Sequence, residues 1–168
     1  DFVGSRGLGD VYKRQLYFTL RKAIPPVLIP RLYLLLILGG FQGVLGWYMV
    51  KSGLVDDPNV SQYRLTAHLG MAVFIYSLIL WTVFDLSLNY NHAIRSRIKW
   101  MSSTLTLLIF LMILSGGLVA GTRAGIPFPT WPLMGDTFIP PQIYSMNPSW
   151  LSAFEDMATI QFLSLIHI

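Results

Sequence analysis

The chain has 168 residues, of which 54% are apolar and only 12% are charged. This composition is too apolar for an ordinary water-soluble domain and indicates a protein that crosses a membrane several times. The absence of cysteine excludes a disulfide framework, a zinc–thiolate site and a cysteine nucleophile. The net charge of +4 does not indicate a nucleic-acid partner, because the basic residues lie in short clusters between apolar runs, where they orient a chain in the bilayer.

Both ends of the chain resemble translated sequencing-adapter DNA. The segment DVYKRQ (Asp10 to Gln15) and the segment LSLIHI (Leu163 to Ile168) are encoded by DNA strings that are reverse complements of each other. We therefore expect residues 1–15 and 163–168 to be non-native and residues 16–162 to be an internal piece of a longer protein. His167 is not a candidate site residue for this reason.

Three stretches are long and apolar enough to span a bilayer as helices, at about 32–50, 67–88 and 100–120. Shorter apolar stretches at 16–20 and 151–162 are expected to be the truncated ends of two further helices. No run alternates with a period of two, which argues against a β-barrel. The predicted fold class is an all-α membrane protein, a transmembrane helix bundle with three full spans.

The basic clusters predict the orientation of the spans. They precede the first span and lie between the second and third, at Arg21, Lys22, Arg31, Arg95, Arg97 and Lys99. Because an excess of Lys and Arg marks the cytoplasmic side, the first span is predicted to run outward. The long connection at 121–150 then lies outside. It is rich in proline and aromatic residues, and we expect it to form a structured cap.

His68 is the principal candidate for chemistry, because an ionisable group within a span is costly and usually functional. Arg64 precedes it by four residues and shares its helical face. An imidazole below a guanidinium suits a heme, with a nitrogen on the iron and the arginine on a propionate. The alternative is a histidine that hydrogen-bonds to a neighbouring helix. His92 is predicted to lie on the opposite, cytoplasmic side and cannot be the second axial ligand.

Gln42 is the other polar residue deep in a span, and it lies among glycines at 39, 43 and 46. These glycines allow close approach by another helix or by a flat ring. Tight helix packing, with Gln42 bonding between helices, is the favoured interpretation, and the same applies to Gly117, Gly121 and Gly125. Asp85 is interpreted as a helix-pairing or interfacial carboxylate rather than a proton relay.

Two motifs resemble the heme A synthase family. These are FQGVLGWYMVKSGL (Phe41 to Leu54) and VSQYRLTAHLGMA (Val60 to Ala72), and LVAGTRAGIPFPTWPLMGD (Leu118 to Asp136) also resembles that family's outer loop. The resemblance implies eight helices in two four-helix halves, each half holding a heme near the outer face. It also implies conversion of heme O to heme A, by oxidation of a ring methyl to a formyl group, for respiratory oxidase assembly.

The resemblance assigns His68 as an axial ligand of heme iron in the first half. Arg64 and Gln42 are further heme-binding candidates from the sequence itself, Arg64 by its helical spacing from His68 and Gln42 by its position among glycines. It implies that the three other histidine ligands and the glutamate used in the reaction lie outside residues 16–162. No catalytic residue is therefore expected within the chain, and the chain alone is expected to be inactive.

The expected cofactors are heme b and heme O or heme A, and the expected partners are heme O and the lipid bilayer. Heme O synthase and oxidase assembly factors are further expected partners. The expected location is a bacterial inner membrane rather than a mitochondrial one. Two alternatives stay open: a heme-binding electron carrier without catalysis, and a transporter or scaffold in which His68 only packs. The long outer loop favours the enzyme over the carrier, which has no need of a cap over a substrate.

Overall fold

The computed structural model describes residues 13–14, 16–53, 60–87, 96–127, 129–130 and 132–165. His92, His167 and nearly all of the predicted adapter segment at 1–15 lie outside the described residues. Within the described ranges the chain is helical and forms no β-strand, which confirms the predicted all-α class.

Three long helices dominate the structure: α1 at Ile29–Gly53, α2 at Gln62–Ser87 and α3 at Ser96–Thr122. Each is long and apolar enough to cross a membrane, which confirms the three predicted spans. The helices begin three to five residues before the predicted spans, because the apolar count detects only the part that suits hydrocarbon. The first turn of each helix lies outside that apolar part. Pro30 in the first turn of α1 fits this start, since an N–H there has no helical partner.

Helix α2 lies between the other two long helices and packs against both. Its contact with α3 is made through small residues. Cβ atoms placed on Gly117 and Gly121 would come within 3.0 Å of Thr66 and Gln62 of α2, and one on Gly70 would meet Leu114 of α3. The glycines predicted to permit close helix packing at 117 and 121 therefore do so.

An ion pair joins the start of α1 to the end of α2. Arg31 in the first turn of α1 binds the carboxylate of Asp85 near the end of α2, and its guanidinium also lies 6.0 Å from the ring centre of Trp81. Asp85 is thus a helix-pairing carboxylate, as predicted.

The stretch predicted as one truncated helix at 151–162 is interrupted. A 3₁₀ turn at Ser149–Leu151 leads into the short helix α4 at Ser152–Glu155, and α5 follows at Met157–Leu165. Asp156 between them has an extended backbone (φ −84°, ψ 118°), and its carboxylate accepts a hydrogen bond from the backbone N–H of Thr159 at 2.9 Å. Asp156 therefore caps α5, and the cap accounts for the break.

The connection after α3 is ordered by hydrogen bonds to these short helices, which agrees with the prediction of a structured segment. The backbone N–H of Tyr144 donates to the Thr159 hydroxyl, and that of Met146 donates to the Ser152 hydroxyl. Both hydroxyl residues are fully buried. Helix α5 also packs against α3, so the connection is fastened to the helix from which it starts.

Candidate functional site

His68 lies in the second turn of α2, and its ring edge faces α1. A Cβ atom placed on Gly46 would lie 3.2 Å from Cε1 of the imidazole and 3.8 and 3.9 Å from its two nitrogens. The lack of a side chain at Gly46 therefore lets the ring reach the backbone of α1. The half-buried imidazole is held at the interface of two predicted membrane spans.

Gln42 contacts His68 through two atoms. Its amide nitrogen donates to the backbone carbonyl oxygen of His68 at 3.1 Å and lies 3.3 Å from Nε2 of the imidazole. Gln42 and Gly46 are four residues apart and share one face of α1. The sequence singled out Gln42 and His68 separately, and the structure brings them together.

Two buried polar atoms of this pair have no hydrogen-bond partner among the described residues. They are Nδ1 of His68 and Oε1 of Gln42. The other ring nitrogen, Nε2, lies 3.3 Å from the amide nitrogen of Gln42. An imidazole in this condition retains the capacity to bind a metal, which fits a heme-iron ligand.

Arg64 lies one turn before His68, near the start of α2. Its guanidinium carbon is 4.7 Å from the ring centre of Tyr48 on α1, within the range of a cation–π interaction. The structure therefore places Arg64, like His68, against α1. The three predicted site residues lie along one α1–α2 interface.

Two cavities of the described structure lie on faces of α2 other than the one that contacts α1. One of about 520 Å³ is lined almost wholly by apolar side chains of α2 and α3, with Phe154 of α4. A second, of about 630 Å³, lies between α2 and α3 nearer their other ends and is lined by Trp81 and several hydroxyl residues. His68 lines neither of these two cavities.

Sequence reasoning missed two contacts at the same end of α2. Tyr63 donates a hydrogen bond to the Glu155 carboxylate of α4 at 3.0 Å, which ties α2 to the segment that follows the long connection. The cap formed by Asp156 was also missed, although an aspartate directly before an apolar run is a recognisable signal for the start of a helix. No local signal could have paired Tyr63 with Glu155.

A site for a bare metal ion is not formed by the described part of the chain, where no three His, Asp or Glu side chains converge. What the arrangement offers is a single imidazole and a nearby guanidinium. These groups can hold an iron that already has ligands of its own, such as the four nitrogens of a porphyrin, together with an acidic substituent.

Comparison with known proteins shows what the chain is similar to. A family model described as cytochrome oxidase assembly protein (COX15-CtaA) matches residues 5–164. Heme A synthase of Nitrosospira multiformis is 47% identical over 152 residues, covering 88% of this chain and 42% of the relative. Heme A synthase of Parvibaculum lavamentivorans is 44% identical over 146 residues, covering 87% of this chain and 42% of the relative.

A more distant relative, heme A synthase of Wolbachia pipientis wMel, is 38% identical over 151 residues, covering 88% of this chain and 43% of that protein. The chain thus spans about two fifths of the length of the curated relatives that it matches. No solved structure matches it. Because the family model covers nearly the whole sequence, the chain belongs to the COX15-CtaA family of cytochrome oxidase assembly proteins.

Proposed function

We propose that this chain is part of a heme A synthase, which oxidises a methyl group of heme O to the formyl group of heme A for oxidase assembly. The observation that carries the proposal is the state of His68. Its imidazole lies between two predicted spans, and one ring nitrogen is buried with no hydrogen-bond partner among the residues that the structure describes. The proposed substrate follows from the name of the relatives, heme A synthase.

In this proposal His68 would hold heme iron through one nitrogen of its imidazole. The iron, when bound, supplies the redox chemistry, and the chain's residues hold and orient the porphyrin. Arg64 lies one turn away, where its guanidinium can pair with a propionate. No residue of this segment is assigned a proton-transfer or catalytic role.

The proposed partners follow from this assignment. Heme O is the substrate, a heme b is the second bound group, and the lipid bilayer surrounds the spans. The proposed location is a bacterial inner membrane, with the start of α2 on the outer side. Heme O synthase and oxidase assembly factors are the proposed protein partners, because they would supply the substrate and receive the product.

The test uses the complete gene that contains this segment, expressed in a host that makes heme O but not heme A. Membrane hemes are extracted and separated for the wild type, His68→Ala and His68→Gln. We expect the wild type to form heme A. Both variants should lose heme A and the heme that His68 binds through its iron. Glutamine fills similar space but is a poor iron ligand, so it separates ligation from packing.

Tyr76→Phe is the matched control, because this tyrosine lies on the same helix and is 61% exposed. It should leave heme A formation unchanged. Bound heme without heme A in the wild type would favour the electron carrier over the enzyme. Unchanged heme in the His68 variants would contradict the ligand assignment.

A further inference from the structure

We infer that α1 holds His68 in an iron-free position and that heme iron has to displace this contact in order to bind. We call the holding pair, Gln42 and Gly46, the α1 seat. The inference rests on the proposed role of His68 as an iron ligand and adds a step to it: release of the imidazole from α1.

The contacts of the Gln42 amide determine its orientation. Its nitrogen lies 3.1 Å from the backbone carbonyl oxygen of His68, an atom that can only accept a hydrogen bond. The NH₂ end of the amide must therefore point at His68. The same nitrogen is 3.3 Å from Nε2 of the imidazole, so Nε2 faces a donor and has to present its lone pair. The ring proton then lies on Nδ1, which has no partner among the described residues.

Iron ligation excludes this arrangement at either nitrogen. Each unprotonated ring nitrogen has one lone pair in the ring plane, which can accept an N–H or bind a metal but not both. Iron on Nε2 would replace the Gln42 donor. Iron on Nδ1 would move the ring proton to Nε2, where it would face the N–H groups of Gln42. The contact between Gln42 and the imidazole therefore belongs to the iron-free state.

Gly46 completes the seat. The ring edge that carries both nitrogens faces the bare backbone at this position, with Cε1 at 3.2 Å from the place of a Cβ atom. A methyl group there would push the ring outward by a few tenths of an ångström. The close approach of the imidazole to α1 therefore depends on the missing side chain at residue 46 and on the donor at residue 42.

The seat should lower the apparent affinity for heme, because only the protein with a released imidazole can ligate iron. The loss of one ordinary hydrogen bond changes such a balance by about five-fold. Gln42→Met keeps an unbranched side chain of similar length and removes the donor. We expect it to raise heme affinity by about that factor, and Gly46→Ala should act in the same direction by crowding the ring.

The experiment titrates the complete protein, purified without heme, with ferric heme and separately with iron-free protoporphyrin, following the absorption spectrum. Gln42→Met and Gly46→Ala should bind ferric heme more tightly than the wild type and protoporphyrin equally well. Gly40→Ala is the control on α1, since a Cβ atom there meets nothing within 4 Å. It should bind both probes as the wild type does.

His68→Ala distinguishes a failure of the ligand assignment from a failure of the α1 seat. If the wild type does not prefer ferric heme over protoporphyrin, or if His68→Ala keeps that preference, the ligand assignment fails. If the preference depends on His68 while heme affinity is unchanged or lower in Gln42→Met and Gly46→Ala, only the seat is overturned. Should Gln42→Met not fold, Gly46→Ala decides alone.

Discussion

A Cβ atom on Gly121 of α3 would lie 2.5 Å from the Cα atom of Gln62 at the start of α2. The two helix backbones are in direct contact at this point. Four residues earlier on the same face, Gly117 approaches Thr66, with 2.9 Å between its Cβ position and Oγ1. Small residues at this spacing are typical of close helix packing in membranes, where contact between backbones replaces the hydrophobic drive of water.

We expect Gly121→Ala to destabilise the complete protein by about 1–3 kcal/mol, because the added methyl group meets backbone rather than a flexible side chain. Thermal unfolding in detergent measures the effect. Gly116→Ala is the matched control on the same helix, since nothing lies within 4 Å of its Cβ position. It should be neutral or stabilise by up to about 1 kcal/mol. Equal unfolding temperatures for the two variants would contradict the close contact.

The three spans could be predicted because hydrocarbon imposes one simple rule, about 20 apolar residues in a row. The helix ends could not, since polar residues such as Gln62 continue a helix into the interface without changing the apolar count. The break before α5 was missed for a different reason. The apolar pattern runs through Asp156, so the count of apolar residues joined two helices that Asp156 separates by capping the second one through the Thr159 backbone N–H.

The candidate site could be predicted residue by residue but not as an arrangement. His68 and Gln42 were recognised because polar groups are rare in spans. Their contact depends on the rotation of α1 and α2 about their own axes, which one sequence does not specify. The same holds for Arg64 and Tyr48, because the packing of α1 on α2 brings the guanidinium carbon to 4.7 Å from the ring centre.

The ion pair between Arg31 and Asp85 should contribute little free energy, although it joins two helices. Both side chains are partly exposed, and such pairs are worth about 0–1 kcal/mol. Arg31→Ala, Asp85→Ala and the double variant form a cycle whose coupling energy should fall in this range. Thermal unfolding of the complete protein measures it. A coupling above about 2 kcal/mol would show that the pair is held in a much drier setting than its exposure indicates.

The hydroxyl of Thr159 should be needed for the order of the connection at 121–150. This buried hydroxyl donates to the Asp156 carboxylate and accepts the backbone N–H of Tyr144. Thr159→Val keeps the shape but leaves that N–H without its acceptor, at a cost of about 1–3 kcal/mol. Hydrogen exchange of the segment around Tyr144 should become faster.

Thr122→Val is the control for this prediction. Among the described residues, the Thr122 hydroxyl bonds only within its own helix, to the carbonyl oxygens of Leu118 and Val119. Its removal therefore leaves no described group of the connection unsatisfied. Exchange near Tyr144 should stay at the wild-type rate. If both variants exchange alike, the connection is held by its other contacts and not by Thr159.

Arg64 should recognise an acidic substituent of the porphyrin rather than its iron. Its guanidinium carbon lies 4.7 Å from the ring centre of Tyr48, and Arg64 precedes His68 by one turn of α2. Arg64→Leu should lower the affinity of the complete protein for ferric heme by about ten-fold, the effect of one charged hydrogen bond. Heme dimethyl ester, which lacks the two carboxylates, should bind the variant and the wild type equally.

Arg64→Lys keeps the charge and should recover part of the loss. An equal loss of affinity for heme and for its ester would show instead that Arg64 supports the α1–α2 interface through Tyr48.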